Sequence, residues 1–325
     1  MGTVRSSSGS FIEDTIKMKV SSSKLFARII ENTPFSEEEL ALLIFTAPTR
    51  YKEHWITKRN GKGKRLISQP TAELKLVQRW LITSELSSLP IDSHATAYRK
   101  NVSIKQHVLP HTHSNFLLKL DFKDFFPSLT SSALRKRLTL DTDYDQLELF
   151  ILTQLLLKKA RDESEYRLSI GAPSSPFISN YLLGEFDQRV SNYCDLHSLQ
   201  YSRYADDIAI STKTAGTLDP AKLFIEKLLS ELTYLGLRLN NDKTVNVSKK
   251  YRRELVGLVI SNQKKISLGR DEKRRLRAAA HALSLDKLTD VEVMKLRGQL
   301  AYALSIEHDF VMKLCTKYGF QLTPM

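Results

Sequence analysis

Cysteine is nearly missing from this chain. Cys194 and Cys315 are the only two in 325 residues, too few for a disulfide framework, and neither sits in a CxxC or Cys/His metal spacing. Both lie in helix-like sequence and read as buried thiols, and their scarcity fits a reducing cytoplasm. There is no run of 18 or more apolar residues, so no helical membrane span is expected. The opening residues MGTVRSSSGS lack the apolar core of a secretory signal and read as a loose polar arm. No internal repeat is found. Acids are in deficit, with 36 Asp and Glu against 49 Lys and Arg and a formal net charge of +13.

Hydrophobic residues make up 42% of the chain, enough to bury a sizeable core and to exclude compositional disorder over most of the length. The length suits two or three subdomains. So basic a protein is expected to meet a polyanion, nucleic acid first. The surplus is uneven. Lys249 to Met325 hold 16 Lys or Arg and 8 Asp or Glu, more than half of the excess charge in about a quarter of the chain.

Local patterns place the elements. Ser36 with Glu39 makes a capping box ahead of a helix. Residues 51–68 read as a hairpin around Asn60-Gly61-Lys62-Gly63. Residues 71–89 read as a helix with Leu74, Val77, Leu81 and Leu86 on one stripe. Phe116–Asp121 reads as a buried strand ending in an acid. Helices are expected over 144–160, from about Ser174 with Pro176 in the first turn, and over 220–235. Residues 200–212 read as two short strands around Ala205-Asp206-Asp207, and 256–261 as a short apolar strand. From Arg270 to Phe320 the pattern is helical, broken near Gly269, Ser284 and Gly319.

Two pieces carry chemistry. In SRYADDIAIS, residues 202–211, β-formers flank two adjacent acids. A regular strand would point them to opposite faces, but a hairpin tip lets both carboxylates lean one way. Two like charges so close repel unless a cation lies between them. In LDFKDFF an acid, Asp121, closes an apolar strand. Set beside the hairpin, it would complete an oxygen cage for divalent ions, and Mg2+ favours a few carboxylates plus substrate phosphates. Two such ions about 3.5–4 Å apart activate an attacking hydroxyl and stabilise the leaving oxygen. A lone Asp-Asp is more often a solvated turn, so the context decides.

That context resembles the reverse transcriptases. SRYADDIAIS is similar to their YxDD signature and LDFKDFFPSL to their first palm motif. IGAPSSPFISNYL (170–182) resembles their glycine-rich segment and following helix, and LRLNNDKT (237–244) the next palm segment. LVGLVIS (255–261) resembles the hydrophobic hairpin that grips the primer, and KGKRLISQP (62–70) a fingers strand at the incoming nucleotide. The six motifs run in order over about residues 50–320. The compact thumb and the lack of an appended domain are most similar to the bacterial retron class. Three positions depart from the pattern. Ile170 stands where Gln is usual, HVLPH (107–111) keeps only the final His of Asn-Ala-x-x-His, and Leu255-Val256-Gly257 replaces Val-Thr-Gly.

The resemblance implies an α+β right hand: a helical N-terminal region (1–48), fingers (49–115), an antiparallel-sheet palm (116–248) with a finger-like helical insertion at about 130–170, and a primer grip with a basic helical thumb (249–325). It implies that Asp121, Asp206 and Asp207 are catalytic and hold two Mg2+ ions, with the Phe122 carbonyl as a further ligand. Phe126 would exclude a 2′-hydroxyl sterically; beside Phe122 and Phe125 it also reads as core. Lys64 and Arg65 would take the triphosphate, Gly171 and Ala172 would wall the nucleotide, and Lys243 would stand near the leaving pyrophosphate. Gly257 and the helix bearing Lys273, Arg274, Arg275 and Arg277 would contact nucleic acid through its backbone. His107, His111 and His113 crowd together but lack a fourth ligand for zinc, so local polar structure or RNA contact is the better reading.

The expected reaction is RNA-directed DNA synthesis from deoxynucleoside triphosphates in the cytoplasm. The template would be a structured noncoding RNA, primed from an RNA 2′-hydroxyl to give branched RNA-linked DNA, in anti-phage defence with an accessory effector protein. The rivals are another small bacterial reverse transcriptase, of group II intron or diversity-generating type, and a non-catalytic RNA-binding protein with a relic palm.

Overall fold

A computed structural model describes residues 20–58, 61, 63–159 and 165–321. The polar arm, and Asn60 and Lys62 of the expected turn, lie outside the described residues. In chain order, helices α1 (Lys24–Asn32) and α2 (Glu37–Thr46) are each capped by a serine, and Ser36 and Glu39 form the expected box. Strands β1 (Tyr51–Thr57) and β2 (Lys64–Pro70) make the expected hairpin, paired from Tyr51–Pro70 to Thr57–Lys64. Helix α3 (Ala72–Trp80) continues as a π-helical turn over Leu81–Glu85, and the stripe of Leu74, Val77, Leu81 and Leu86 is buried.

Next come α4 (Ile104–Val108), β3 (Phe116–Asp121), α5 (Phe125–Ser128), α6 (Ser131–Asp141) and α7 (Gln146–Leu156). The helix expected over 144–160 stops early. Leu157 turns extended, and β4 (Lys158–Lys159) pairs with β5 (Tyr166–Arg167) instead. Then follow α8 (Ser175–Leu182), with Pro176 in its first turn, α9 (Gly184–Leu196), β6 (Gln200–Tyr204), β7 (Asp207–Thr212) and α10 (Leu218–Glu231). The last elements are β8 (Val245–Ser248), β9 (Arg253–Leu255), β10 (Leu258–Ile260), β11 (Ile266–Ser267), α11 (Arg270–Ser284), α12 (Asp290–Ile306) and α13 (His308–Tyr318). The apolar strand expected over 256–261 begins only at Leu258, because Val256 and Gly257 both have positive φ and form a turn.

The described chain divides into two compact units. One comprises the described residues of 20–93, 122–188 and 225–239. Within it Glu148 is shared: its carboxylate completes the cap of α7 and accepts from Leu25 N, 3.1 Å away, while Arg28 bridges Glu85 and Glu148. The β1–β2 ribbon is anchored there by Ser68 N, which donates to the Ile170 carbonyl at 2.8 Å.

The other unit comprises the described residues of 94–121, 189–224 and 240–321. Its centre is a four-stranded antiparallel sheet in the order β6-β7-β3-β8. Side chains alternate between faces. Leu118, Leu120, Ile208 and Ile210 fill one face, while Leu117, Lys119, Asp121, Asp207, Ala209 and Ser211 line the other. Leu117 and Ala209 join Leu258, Leu276, Leu300 and Val311 in one apolar core, closed by α11 to α13. That core leaves the acids at the end of their face where β3 finishes and β7 begins.

Candidate active site

Asp121 is the last residue of β3 and Asp207 the first of β7, and the ladder pairs them directly. Direct partners in an antiparallel pair share a face, with Cβ atoms about 4.5–5.5 Å apart. Two residues, Ala205 and Asp206, connect the ladder pair Tyr204–Asp207. Ala205 takes φ +57°, as a primed hairpin turn requires of its first central residue. Asp206 sits at the tip beside Asp207. Strand register therefore gathers Asp121, Asp206 and Asp207 at one edge of the sheet.

Their charges interact. Burial first, and then the Asp206 carboxylate, push Asp207 up to about 6. Asp121 is buried, and its two oxygens accept from Lys243 Nζ at 2.9 and 2.8 Å. Asn240 holds the same residue, its backbone N–H donating to the Asp121 carbonyl at 2.7 Å. An all-oxygen donor set with mutual repulsion suits a hard divalent cation. Among the described residues no three His, Cys, Asp or Glu side chains are already grouped round one point, and Asp121 faces an ammonium. Phe122 bridges Leu239 through bonds made by the flanking residues, Lys123 N to Arg238 O and Asn240 N to Asp121 O. In such a pair the central residue's own carbonyl points away from the partner strand.

Sequence reasoning missed the supports of the hairpin. Arg203, fully buried, donates from Nη1 to the Ala205 carbonyl at 3.0 Å. Its pairing with the apolar Ile208, on the buried face by strand parity, was the available signal. On the acids' face, His111 lies between two hydroxyls, Nδ1 2.7 Å from Ser211 Oγ and Nε2 2.8 Å from Ser202 Oγ. Ser202 Oγ also lies 2.8 Å from His107 Nδ1. Burial pushes both imidazoles down to about 3. His107 and His111 are thus part of a buried polar network, while His113 is exposed.

Of the expected nucleotide contacts, Lys243 belongs to the second unit, and Lys64, Arg65, Phe126, Gly171 and Ala172 lie in the first. Phe122 and Phe125 are buried, their rings stacked at 5.7 Å, and Phe126 is half-buried beside Phe125. Gly171 has φ +122°, and a Cβ there would lie 2.9 Å from the Ser68 carbonyl oxygen and 3.2 Å from Ile67 Cγ2. Only glycine permits that approach. Ala172 beside it is buried. Lys64 and Arg65 are exposed neighbours on β2 and project to opposite faces of the ribbon. Arg65 shares its face with Ile67, and so with Gly171.

Gly257 has φ +85° and an open surround. On α11 the cations are less free than the sequence suggests. Lys273 pairs with Glu307 at 2.6 Å, Arg274 with Asp271 at 2.9 Å and Arg275 with Glu272 at 2.7 Å, while Arg277 lies over the Phe310 ring.

Comparison with known proteins bears on this geometry. Residues 56–263 match the model of the family "Reverse transcriptase (RNA-dependent DNA polymerase)". The chain is 35% identical to the Retron Ec83 reverse transcriptase of Escherichia coli, over 83% of this chain and 88% of that protein. It is 33% identical to the Retron Ec86 reverse transcriptase of the same organism, over 88% of each. A solved structure of telomerase from Candida albicans, with a fragment of telomeric RNA, superposes with a TM-score of 0.49 at 13% identity, over 83% of this chain and 56% of that one.

Proposed function

Since the chain belongs to the reverse transcriptases and, among them, to the retron type, we propose that it copies a structured noncoding RNA into single-stranded DNA, primed from a 2′-hydroxyl of that RNA. It is an RNA-directed DNA polymerase of α+β right-hand fold. The product of such priming is branched, RNA-linked DNA. The setting proposed is cytoplasmic anti-phage defence with an accessory effector protein, on the strength of the retron resemblance alone. No helix among the described residues is long and apolar enough to cross a membrane.

The observation that supports the catalytic reading is the cross-strand pair Asp121–Asp207 with Asp206 at the adjoining tip. The family works with divalent metal ions, and the oxygen donors here favour Mg2+. When bound, two such ions activate the attacking hydroxyl and neutralise charge at the leaving oxygen. Asp121, Asp206 and Asp207, with the Phe122 carbonyl, are the proposed holders. The primer hydroxyl attacks the α-phosphate of a deoxynucleoside triphosphate, and the bond to the β-phosphate breaks to release pyrophosphate.

Lys243 sets its Nζ beside Asp121, ready to balance charge on the departing pyrophosphate. Phe126, the least buried ring of its cluster, is the proposed block to a 2′-hydroxyl. Arg65, on the Gly171 face of its ribbon, is the better of the two proposed triphosphate ligands, with Lys64 second. Gly171 and Ala172 form the proposed nucleotide wall. Gly257 and Arg277 are proposed to meet the duplex. Lys273, Arg274 and Arg275 contribute less, because each is already paired.

The test is primer extension on an RNA template with Mg2+, comparing wild type with Asp206→Asn. Extension by the wild type, lost in the variant while RNA binding persists, is expected; retained synthesis removes the metal assignment. Sequencing the nucleic acid that co-purifies with the protein reads the second claim. DNA joined to an RNA 2′-oxygen supports it, and ordinary 3′-primed DNA favours the group II intron or diversity-generating type.

A further inference from the structure

The positive surplus that begins at Lys249 is not used up by α11, whose cations are largely paired. Part of it gathers at the other end of the palm sheet. Three turns meet there, at 212–214, 248–251 and 261–265. Asn115 ties the first two, accepting from Lys249 N at 2.7 Å through its carbonyl and donating from Nδ2 to the Lys213 carbonyl at 3.1 Å. Buried Arg253 ties in the third, donating to the carbonyls of Ser114 and Ser261, the latter at 3.2 Å.

These turns present Lys213, Lys249, Lys250, Lys264 and Lys265, all exposed. None of the five has a carboxylate within ion-pair distance among the described residues, and the nearby acids Glu254 and Asp271 are engaged by Arg252. Lys264 holds φ +61°, a left-handed backbone that favours Gly or Asn, yet the turn carries a lysine. Tyr251, 71% exposed, stands among them. Five ammonium groups without a carboxylate partner repel one another, a cost that a bound polyanion would offset.

We propose that this lysine surface binds the phosphate backbone of an RNA segment outside the stretch being copied. The inference rests on the polymerase reading for its partner. Asp121 and Phe116 stand at opposite ends of β3, roughly 17 Å apart at about 3.4 Å per residue, so nucleotides held by the lysines are not those at the carboxylates. Lysines on turns grip phosphates as point charges without reading sequence. The exposed Tyr251 ring offers a platform for one unpaired base next to a stem. The surface therefore suits a folded RNA, one part of which is template and another part anchor.

The test uses the full chain with Lys213→Gln, Lys249→Gln, Lys250→Gln, Lys264→Asn and Lys265→Gln combined. The probe is an RNA hairpin of arbitrary sequence with a single-stranded overhang, titrated between about 50 and 200 mM salt. The slope of log K against log salt is expected to become shallower by about 3.5–4.5, at roughly 0.7–0.9 per lost phosphate contact, with at least ~10-fold weaker binding near 0.1 M salt. Extension of a short DNA primer on a homopolymeric RNA, at saturating template, stays within about twofold of wild type. Tyr251→Ala weakens binding of the overhang hairpin and not of its blunt counterpart. An unchanged salt slope in the lysine variant overturns the proposal, including the case in which the surface serves an acidic protein. A shallower slope in a protein that never extends a primer keeps the surface and removes the polymerase reading instead.

Discussion

Asp121 faces Asp207 directly across the β3–β7 ladder, and Lys243 Nζ holds both oxygens of Asp121. The sheet thus brings two carboxylates together and pairs only Asp121 with that ammonium. Asp207, pushed up by burial and by Asp206 to about 6, is less stable charged than it would be in water. Its neutral isostere is therefore expected to stabilise the protein in metal-free buffer at pH 7–8 while abolishing synthesis. Asp207→Asn should raise unfolding free energy by about 1–3 kcal/mol, the scale of a shift of about two units. Denaturant unfolding in chelator reads this, and an unfolding midpoint no higher than wild type's counts against the charge crowding.

Arg203 fixes the turn beneath Asp206 through the Ala205 carbonyl. Arg203→Met keeps most of the buried volume and removes the donor. Extension is expected to slow at least ~10-fold at saturating substrate, with the KM for deoxynucleotide changed less than about threefold, because a loosened tip misplaces carboxylates rather than nucleotide. Circular dichroism and thermal unfolding establish that the variant folds. A folded Arg203→Met enzyme with normal kcat refutes the positioning role.

His107 and His111 are held neutral by burial, each pushed down to about 3. The unfolded chain takes up protons near pH 6.5, before the folded one does, so acid favours unfolding. Their contribution is complete above pH 6.5 and is lost as pH falls from there toward 3. Unfolding free energy should drop by a few kcal/mol across that window. Part of the slope should disappear in His111→Gln, which removes one of the two imidazoles. Identical slopes in the two proteins would show that these histidines are not the cause.

Phe126 is half-buried where Phe122 and Phe125 are covered. Phe126→Ala is expected to admit ribonucleotides, lowering the preference for deoxynucleotides at least ~10-fold while Phe122 and Phe125 keep the helix packed. Competition between dGTP and GTP on one template measures the ratio. Unchanged sugar discrimination removes Phe126 as the block.

Val256 holds φ +45° and Gly257 φ +85° in the turn between β9 and β10. A β-branched residue is strained in that conformation, and Asn-Gly is the pair this turn favours. Val256→Asn should stabilise the fold by about 1 kcal/mol. If the turn meets the primer, the same change shortens extension products. A destabilised Val256→Asn protein would falsify the strain.

Much of the scaffold was readable because it is encoded locally. The Ser36–Glu39 box, the hairpin read over 51–68 and the Phe116–Asp121 strand rest on contacts within a few residues or on strict alternation. Misreadings fell where distant partners intervened. The helix from 146 ends at Leu156 because β4 finds β5. The unforeseen break at Glu307 has no glycine or proline; its carboxylate accepts from Leu268 N at 2.8 Å and pairs with Lys273.

The residues of the proposed catalytic cluster, their order and the two-acid hairpin were set by the sequence alone, since turn chemistry and apolar alternation act along the chain. The tertiary structure decided which groups meet. Strand register put Asp207 opposite Asp121, a fold-back after Leu239 delivered Lys243 to that carboxylate, and Asn115 with Arg253 drew lysines from three turns onto one surface. Such pairings depend on which faces bury together, and burial is a property of the packed whole.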